Sequence, residues 1–513
     1  MPHDTVFVVD FGAQYAQLIA RRVREAHVFC KIVPFHRALE AARAEVPKAL
    51  IFSGGPASVY GAGAPRMDPG IFQLGIPILG ICYGVQFTAF ALGGKVAQQD
   101  RREYGNAVLE VVVPNELFAD LGDHTEVWMS HGDSITAAPP GFKVLAKTAS
   151  CPLAAIGDAQ RKIYGVQFHP EVTHTPKGRH ILRNFLYQVA GLRGDWKMAN
   201  FIAEQKRLIR EKVGLDRVIL GLSGGVDSSV AAVLIHAAIG PQLQCIFVDN
   251  GLCRKNEGQR VERTFREHFK IPLLAVDAGA QFLGALADVS DPELKRKLIG
   301  REFVRVFEEK ARAIKGAKFL AQGTLYPDVI ESVSAHGGPT STIKTHHNVG
   351  GLPKEMGLQL IEPFRELFKD EVRQIGTELG LPEDIVWRQP FPGPGLGVRI
   401  IGAITAERVR LLQDADEIVQ EEIQAAGLYR KLWQSFAVLL PVRSVGVLGD
   451  ERAYGETIAL RAVESSDAMT ADWARLPYEV LGRISTRIMN EVRGINRVVY
   501  DISQKPPATI EWE

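Results

Sequence analysis

The sequence predicts an α/β protein in three parts, residues 1–193, 194–388 and 389–513. In the first two parts, short apolar runs alternate with helical patterns, the signature of mostly parallel sheets wrapped by helices. Two of those runs end in glycine-rich turns that open helices. A chain of 513 residues, 46% hydrophobic and 23% charged, also has the material for about three cores.

The first part opens with the apolar strand Val6–Val9. Ala49–Phe52 then runs into Ser53-Gly54-Gly55-Pro56, and Ile76–Ile81 runs into Cys82. Gly80-Ile81-Cys82-Tyr83-Gly84 has the shape of a nucleophile elbow with cysteine in the reactive position. Its flanking glycines relieve crowding in a sharp strand-to-helix turn, and the helix N-terminus favours the thiolate. A cysteine after an apolar strand is otherwise most often a small core residue. Gln167-Phe168-His169-Pro170-Glu171 reverses that reading. In an extended segment residues i and i+2 point the same way, so His169 and Glu171 stand side by side. With Cys82 they compose a triad in which Glu171 orients the imidazole and His169 carries the proton.

The amphipathic segment Met198–Val213 leads into the second part. There the apolar run Val218–Leu222 meets Ser223-Gly224-Gly225-Val226-Asp227-Ser228-Ser229, followed by the helical Val230–Ile239. Adjacent glycines bring backbone N–H groups close to an anion, and the helix start adds unpaired donors and a positive partial charge. Serine hydroxyls supply further donors, and Asp227 orients the loop or helps hold a metal on the phosphates. The Gly-Lys-Ser/Thr ending of the common phosphate loop is absent, so γ-phosphoryl transfer lacks its usual lysine. Leu243–Val248, ending at Asp249, and Ala317–Gly323 read as further strands of a doubly wound parallel sheet. The polar, glycine-rich stretch from Gly337 to Pro353 carries Lys344, His346 and His347 and reads as a lid. Adjacent histidines in a strand face opposite ways, which makes a poor metal site.

Beyond Gln389-Pro390-Phe391-Pro392-Gly393-Pro394-Gly395 the composition shifts, marking the third part. Its end, Lys505-Pro506-Pro507-Ala508-Thr509-Ile510-Glu511-Trp512-Glu513, reads by pattern alone as an edge strand, Ala508–Trp512, with solvated charges. Lys+Arg 60 against Asp+Glu 59 leaves no global field for nucleic acid. The five cysteines (30, 82, 151, 245, 253) are scattered, which suits reduced thiols. No segment approaches the roughly 20 apolar residues of a membrane span, and the N-terminus lacks a signal pattern. A cytoplasmic location is expected.

These motifs carry resemblances. The first part resembles the class I glutamine amidotransferases. This implies Cys82 as nucleophile toward the glutamine amide, His169 as acid/base, Glu171 as its partner, and the backbone N–H groups of Gly55 and Tyr83 as oxyanion hole. The Ser223–Ser229 loop resembles the PP-loop of ATP pyrophosphatases, which cut ATP between its α- and β-phosphates. An ammonia source joined to an adenylylating site replaces a carbonyl oxygen with an amino group, and ATP becomes AMP and pyrophosphate. The acceptor comes from resemblance alone. With Ile343-Lys344-Thr345-His346-His347-Asn348, the Phe391–Gly395 turn and the tail, the whole chain is similar to the glutamine-hydrolysing GMP synthase family. That likeness implies an N-terminal amidotransferase α/β domain, a central doubly wound pyrophosphatase domain and a C-terminal α+β dimerisation domain. It further implies xanthosine monophosphate as acceptor, Mg²⁺ on the ATP phosphates, and a homodimer. Lys505, Ile510 and Glu511 are expected to bind the nucleotide, and Lys344 to place a lid cation near the reacting phosphates. An NAD synthetase or a PP-loop RNA-modifying enzyme would share the loop. The first lacks this cysteine elbow, and the second calls for a basic surface.

Overall fold

The computed structural model describes residues 3–513 other than 14, 56–57, 333–356, 449–450, 466–467 and 469. Lys344 and the expected lid therefore lie outside the described residues, as does Pro56. The chain divides into two compact units between Phe201 and Ile202.

The first unit is built on a nine-stranded sheet ordered β2-β1-β3-β4-β9-β8-β7-β5-β6. Its strands are β1 (Thr5–Asp10), β2 (Phe29–Pro34), β3 (Ala49–Phe52), β4 (Ile78–Ile81), β5 (Lys95–Val111), β6 (His124–Ala137), β7 (Lys143–Lys147), β8 (Ala155–Asp158) and β9 (Ile163–Val166). The five from β2 to β9 in that order are parallel, and helices such as Ala16–Glu25 and Tyr83–Ala91 connect them. The Ala16–Glu25 helix buries Ala16, Ile19, Ala20 and Val23, one stripe at helical spacing. The other four strands pair antiparallel. The expected mostly parallel sheet thus holds for one half only. Between β5 and β9 the chain has no helix long enough for a crossover, so successive strands return antiparallel.

In the second unit a five-stranded parallel sheet is ordered β12-β11-β10-β13-β14. Its strands are β10 (Arg217–Gly221), β11 (Leu243–Asp249), β12 (Leu273–Asp277), β13 (Ala317–Ala321) and β14 (Gln359–Ile361). From β10 the chain builds outward on one side through β11 and on the other through β13. The carboxyl end of β10 is therefore the topological switch point, where open α/β sheets leave a crevice. Further along, β15 (Gln434–Leu448), β16 (Glu451–Glu464), β17 (Asp472–Trp473) and β18 (Ile495–Tyr500) form a sheet in which β15 and β17 flank β16 antiparallel and β18 joins it parallel. The helices Ala406–Ala425 and Tyr478–Glu491 pack on it, giving an α+β layer. One core runs from Ile219 and Ile246 through Leu396 and Ile400 to Leu412, Leu439 and Ile484. The tail does not form the edge strand that its pattern suggests. Ile510 instead inserts among Phe436, Val438, Ala459 and Val463, because burying that side chain outweighs pairing an exposed edge.

Candidate active sites

The first site forms where β4 and β9 end. They are parallel neighbours with Ile81 opposite Val166, and the Cys82 N–H donates to the Val166 carbonyl at 2.8 Å. Both carboxyl ends therefore arrive at one edge. Cys82 itself has φ +51° and ψ −107°, a strained conformation that lifts its side chain out of the strand. The elbow requires both glycines: a Cβ on Gly84 would lie 2.5 Å from the Phe52 carbonyl oxygen, and one on Gly80 would lie 2.7 Å from the Val85 nitrogen.

His169 and Glu171 meet Cys82 there. The His169 Nδ1 lies 2.7 Å from Glu171 Oε1, and both side chains are buried. The pair stands in a turn beyond β9 and not in an extended strand as the spacing suggests. Tertiary contacts hold it instead. The Thr175 hydroxyl donates to the His169 carbonyl at 2.7 Å, the His169 N–H donates to the Trp128 carbonyl at 3.0 Å, and Arg22 Nε donates to the Glu171 carbonyl at 2.9 Å. Burial works against a charged His169 ring, but the Glu171 carboxylate and the Cys82 contact outweigh it, pushing the ring up to about 11. At neutral pH His169 is thus poised as an imidazolium between Glu171 and the sulfur.

Around the sulfur, Gln167 Nε2 lies 3.9 Å from Cys82 Sγ, and Gln86 Nε2 ties Gln167 to the Asp133 carbonyl. Ser53 pins the loop facing the elbow, accepting from the Phe11 N–H at 3.1 Å and donating to the Gly54 carbonyl at 2.9 Å. A Cβ on Gly54 would sit 3.4 Å from His169 Cε1 and 3.8 Å from Cys82 Cβ, so the loop covers both groups. Gly55 packs on the Tyr83 ring, and Tyr83 opens its helix, where the N–H has no intrahelical partner. Sequence reasoning missed Ser53, Gln86, Arg22 and Thr175. Gln86, Arg22 and Thr175 lie in no motif, and although Ser53 opens the Ser53–Pro56 turn, its bond to Phe11 joins positions 42 apart.

At the switch point of the second unit, the Ser223–Ser229 loop joins β10 to the helix Val226–Ile239. Gly224 takes φ +73°, a left-handed conformation suited to glycine. The Ser223 and Ser228 hydroxyls lie 2.9 Å apart, and the Gly225 N–H approaches Ser223 Oγ at 3.3 Å. Asp227 Oδ1 and Ser229 Oγ are buried without a hydrogen-bond partner among the described residues. Three groups join the loop without a sequence signal. Lys369 Nζ lies 3.4 Å from Asp227 Oδ2, which returns a lysine to a loop that has none of its own. Arg388 donates to the Gly224 carbonyl at 2.9 Å and pairs with Glu257.

Arg388 also begins the stretch that reaches the tail. Phe391 lies among the guanidinium groups of Arg254, Arg388 and Arg399, 4.9, 5.5 and 5.1 Å from its ring. The buried Arg399 grips Glu511 with two bonds of 3.0 and 2.9 Å, and Gln434 adds a third at 3.1 Å. Lys295, fully buried, holds Glu513 and the Ile400 carbonyl, and burial draws its pKa down. Lys505 exchanges two backbone bonds with Ala471, donates from Nζ to the Ala468 carbonyl at 2.7 Å, and lines a cleft with Thr470, Asp472 and Gln504. Lys505, Ile510 and Glu511 are thus brought onto one tail, anchored by buried cations.

The class-I glutamine amidotransferase family profile matches residues 7–189, the NAD synthase profile residues 199–279, and the GMP synthase C terminal domain profile residues 421–512. The GMP synthase [glutamine-hydrolyzing] of Brachyspira hyodysenteriae is 61% identical over 510 residues, covering 99% of this chain and 99% of that protein. This chain belongs to the glutamine-hydrolysing GMP synthase family. Relatives of the same name from Clostridium novyi and Carboxydothermus hydrogenoformans are 58% and 59% identical, each over 99% of both chains. The NAD synthase match is confined to residues 199–279, which carry the phosphate loop. It reflects that shared loop, and the elbow domain and C-terminal sheet lie outside it. Among the described residues no helix is long and apolar enough to cross a membrane.

Proposed function

We propose that this chain converts xanthosine monophosphate, ATP, glutamine and water to GMP, AMP, pyrophosphate and glutamate. Residues 1–193 act as the amidotransferase, 194–388 as the ATP pyrophosphatase and 389–513 as the nucleotide-binding dimerisation domain. The observation that carries this reading is the pairing, on one chain of this family, of a strained-elbow thiol against His169–Glu171 with a phosphate cradle at the β10 switch point.

In the first site Cys82 attacks the carboxamide carbon of glutamine. The negative charge moves onto the carbonyl oxygen, where the Gly55 and Tyr83 N–H groups contribute about 3–4 kcal/mol each. His169 gives its proton to the departing nitrogen, ammonia leaves, and a thioester remains. His169 then takes a proton from water as the water attacks that thioester, releasing glutamate and restoring the Cys82–His169 pair. Glu171 holds the ring and balances its charge throughout.

At the second site, residues 223–229 cradle the ATP phosphates through the loop N–H groups, the helix start and the serine hydroxyls. The C2 oxygen of xanthosine monophosphate attacks the α-phosphorus and pyrophosphate leaves. Ammonia then displaces AMP from C2. The unpartnered Asp227 Oδ1 suits one bond to Mg²⁺, whose chemistry is to neutralise phosphates as they separate. Lys369 adds positive charge beside the same loop. Lys505, Ile510 and Glu511 hold the nucleotide, and Arg388 and Arg399 tie that tail and the cradle to one stretch of chain. Lys344 serves as a lid cation.

The far ends of β15 and β16 expose Val442, Val445, Val447 and Tyr454, an apolar sheet end that fits a homodimer. The five cysteines are unpaired, which fits a reducing cytoplasm. The test is a partition of activities. Cys82→Ala should lose GMP formation with glutamine and keep it with added ammonia. Loss of both activities in a folded variant would contradict the division of labour.

A further inference from the structure

We propose that Glu103, His131 and Cys151 form a binding site for a divalent ion of the zinc class, separate from the Cys82–His169–Glu171 constellation. Glu103 on β5 and His131 on β6 are opposite partners in the antiparallel register, and Cys151 comes from the turn before β8. A carboxylate oxygen, a ring nitrogen and the sulfur lie within 4.8 Å of one another.

His131 Nδ1 sits 3.0 Å from the Asp133 carbonyl, a contact that only a protonated Nδ1 satisfies. In the neutral ring Nε2 then presents its lone pair. It faces Glu103 Oε2 at 3.0 Å, an ion pair if the ring is protonated, and neither atom has another hydrogen-bond partner among the described residues. The other Glu103 oxygen accepts from the hydroxyls of Ser150 and Thr148. The side chain of His131 is only 4% exposed. Two lone-pair groups pressed together in so dry a place need a cation between them.

A proton would serve, but a metal ion also uses the thiol. Outer atoms tied to a carbonyl and to hydroxyls, with inner atoms left free, is the arrangement that orients metal ligands. Nitrogen, sulfur and carboxylate donors, three in number with a fourth position for water, suit Zn²⁺ and not Mg²⁺ or Ca²⁺. Binding forms a metal–sulfur bond, the Cys151 thiol proton passes to solvent, and no electron is transferred.

The probe is Co²⁺ added to the full chain carrying Cys82→Ala, which removes the catalytic thiol as a ligand. A near-ultraviolet thiolate-to-cobalt band should saturate at one equivalent and vanish when Zn²⁺ is added. In Cys82→Ala/Cys151→Ser the band should be absent. In Cys82→Ala/Glu103→Gln, a near-isosteric change whose thermal melt reports folding, affinity should fall about tenfold or more. No band in the Cys82→Ala chain overturns the proposal, because it means that only a proton bridges the pair. So does a band that survives Cys151→Ser, or unchanged affinity in folded Glu103→Gln.

Discussion

At the scale of single residues, the chemistry proposed for the first site rests on the 2.7 Å contact between His169 and Glu171. Glu171→Gln removes one of the two groups that hold the His169 ring up at about 11, leaving the Cys82 contact against burial, so the ring's pKa should fall. Glutaminase activity should fall by about 10²–10⁴-fold while ammonia-dependent synthesis persists. A histidine NMR titration checks the pKa, and a ring whose pKa does not fall in the variant would contradict the assignment. The same contact has a stability signature. Because the folded-state pKa is raised, its contribution is fully present below about 6.5 and is lost as pH rises through about 11. Thermal melts of wild type and Glu171→Gln should therefore differ at neutral pH and converge in alkali.

Strands, turns and helices decide what could be read beforehand. The elbow was legible because strand, glycines and helix are consecutive. Gly84→Ala, which puts a Cβ 2.5 Å from the Phe52 carbonyl oxygen, should cost the first unit about 1–3 kcal/mol, seen as a lower denaturant midpoint. The phosphate cradle was legible for the same reason. The turn that carries His169 and Glu171 was less so: the residues were found, but their geometry was assigned to an extended strand. What holds them is Thr175 and an arginine 149 positions away, and no local pattern encodes such a contact. Lys369 is a similar case, 142 positions from Asp227. The antiparallel half of the first sheet was also missed, because apolar alternation marks strands without fixing their direction. Gly224→Ala tests the cradle as an element. Its φ of +73° disfavours any side chain, so ATP-dependent pyrophosphate release should weaken while glutamine hydrolysis survives.

On the scale of the whole molecule, the proposed function joins two chemistries on one chain, and the buried Arg399 and Lys295 hold the tail of the second unit through Glu511 and Glu513. Arg399→Leu would strand the Glu511 carboxylate, at a cost of about 3–5 kcal/mol. The KM for xanthosine monophosphate should rise more than that for ATP, and equal rises would argue that the tail does not hold the nucleotide. Val445→Glu with Val447→Glu should convert a dimer to a monomer in light scattering, since both side chains are exposed at the end of β15. The most direct measurement supplies glutamine labelled with nitrogen-15 on its side-chain amide, together with Mg-ATP and xanthosine monophosphate, and analyses every product. The account predicts GMP carrying the label on its new amino group, with AMP and pyrophosphate formed in equal amounts to it. ADP in place of AMP, or labelled ammonia released with no labelled GMP, would contradict it.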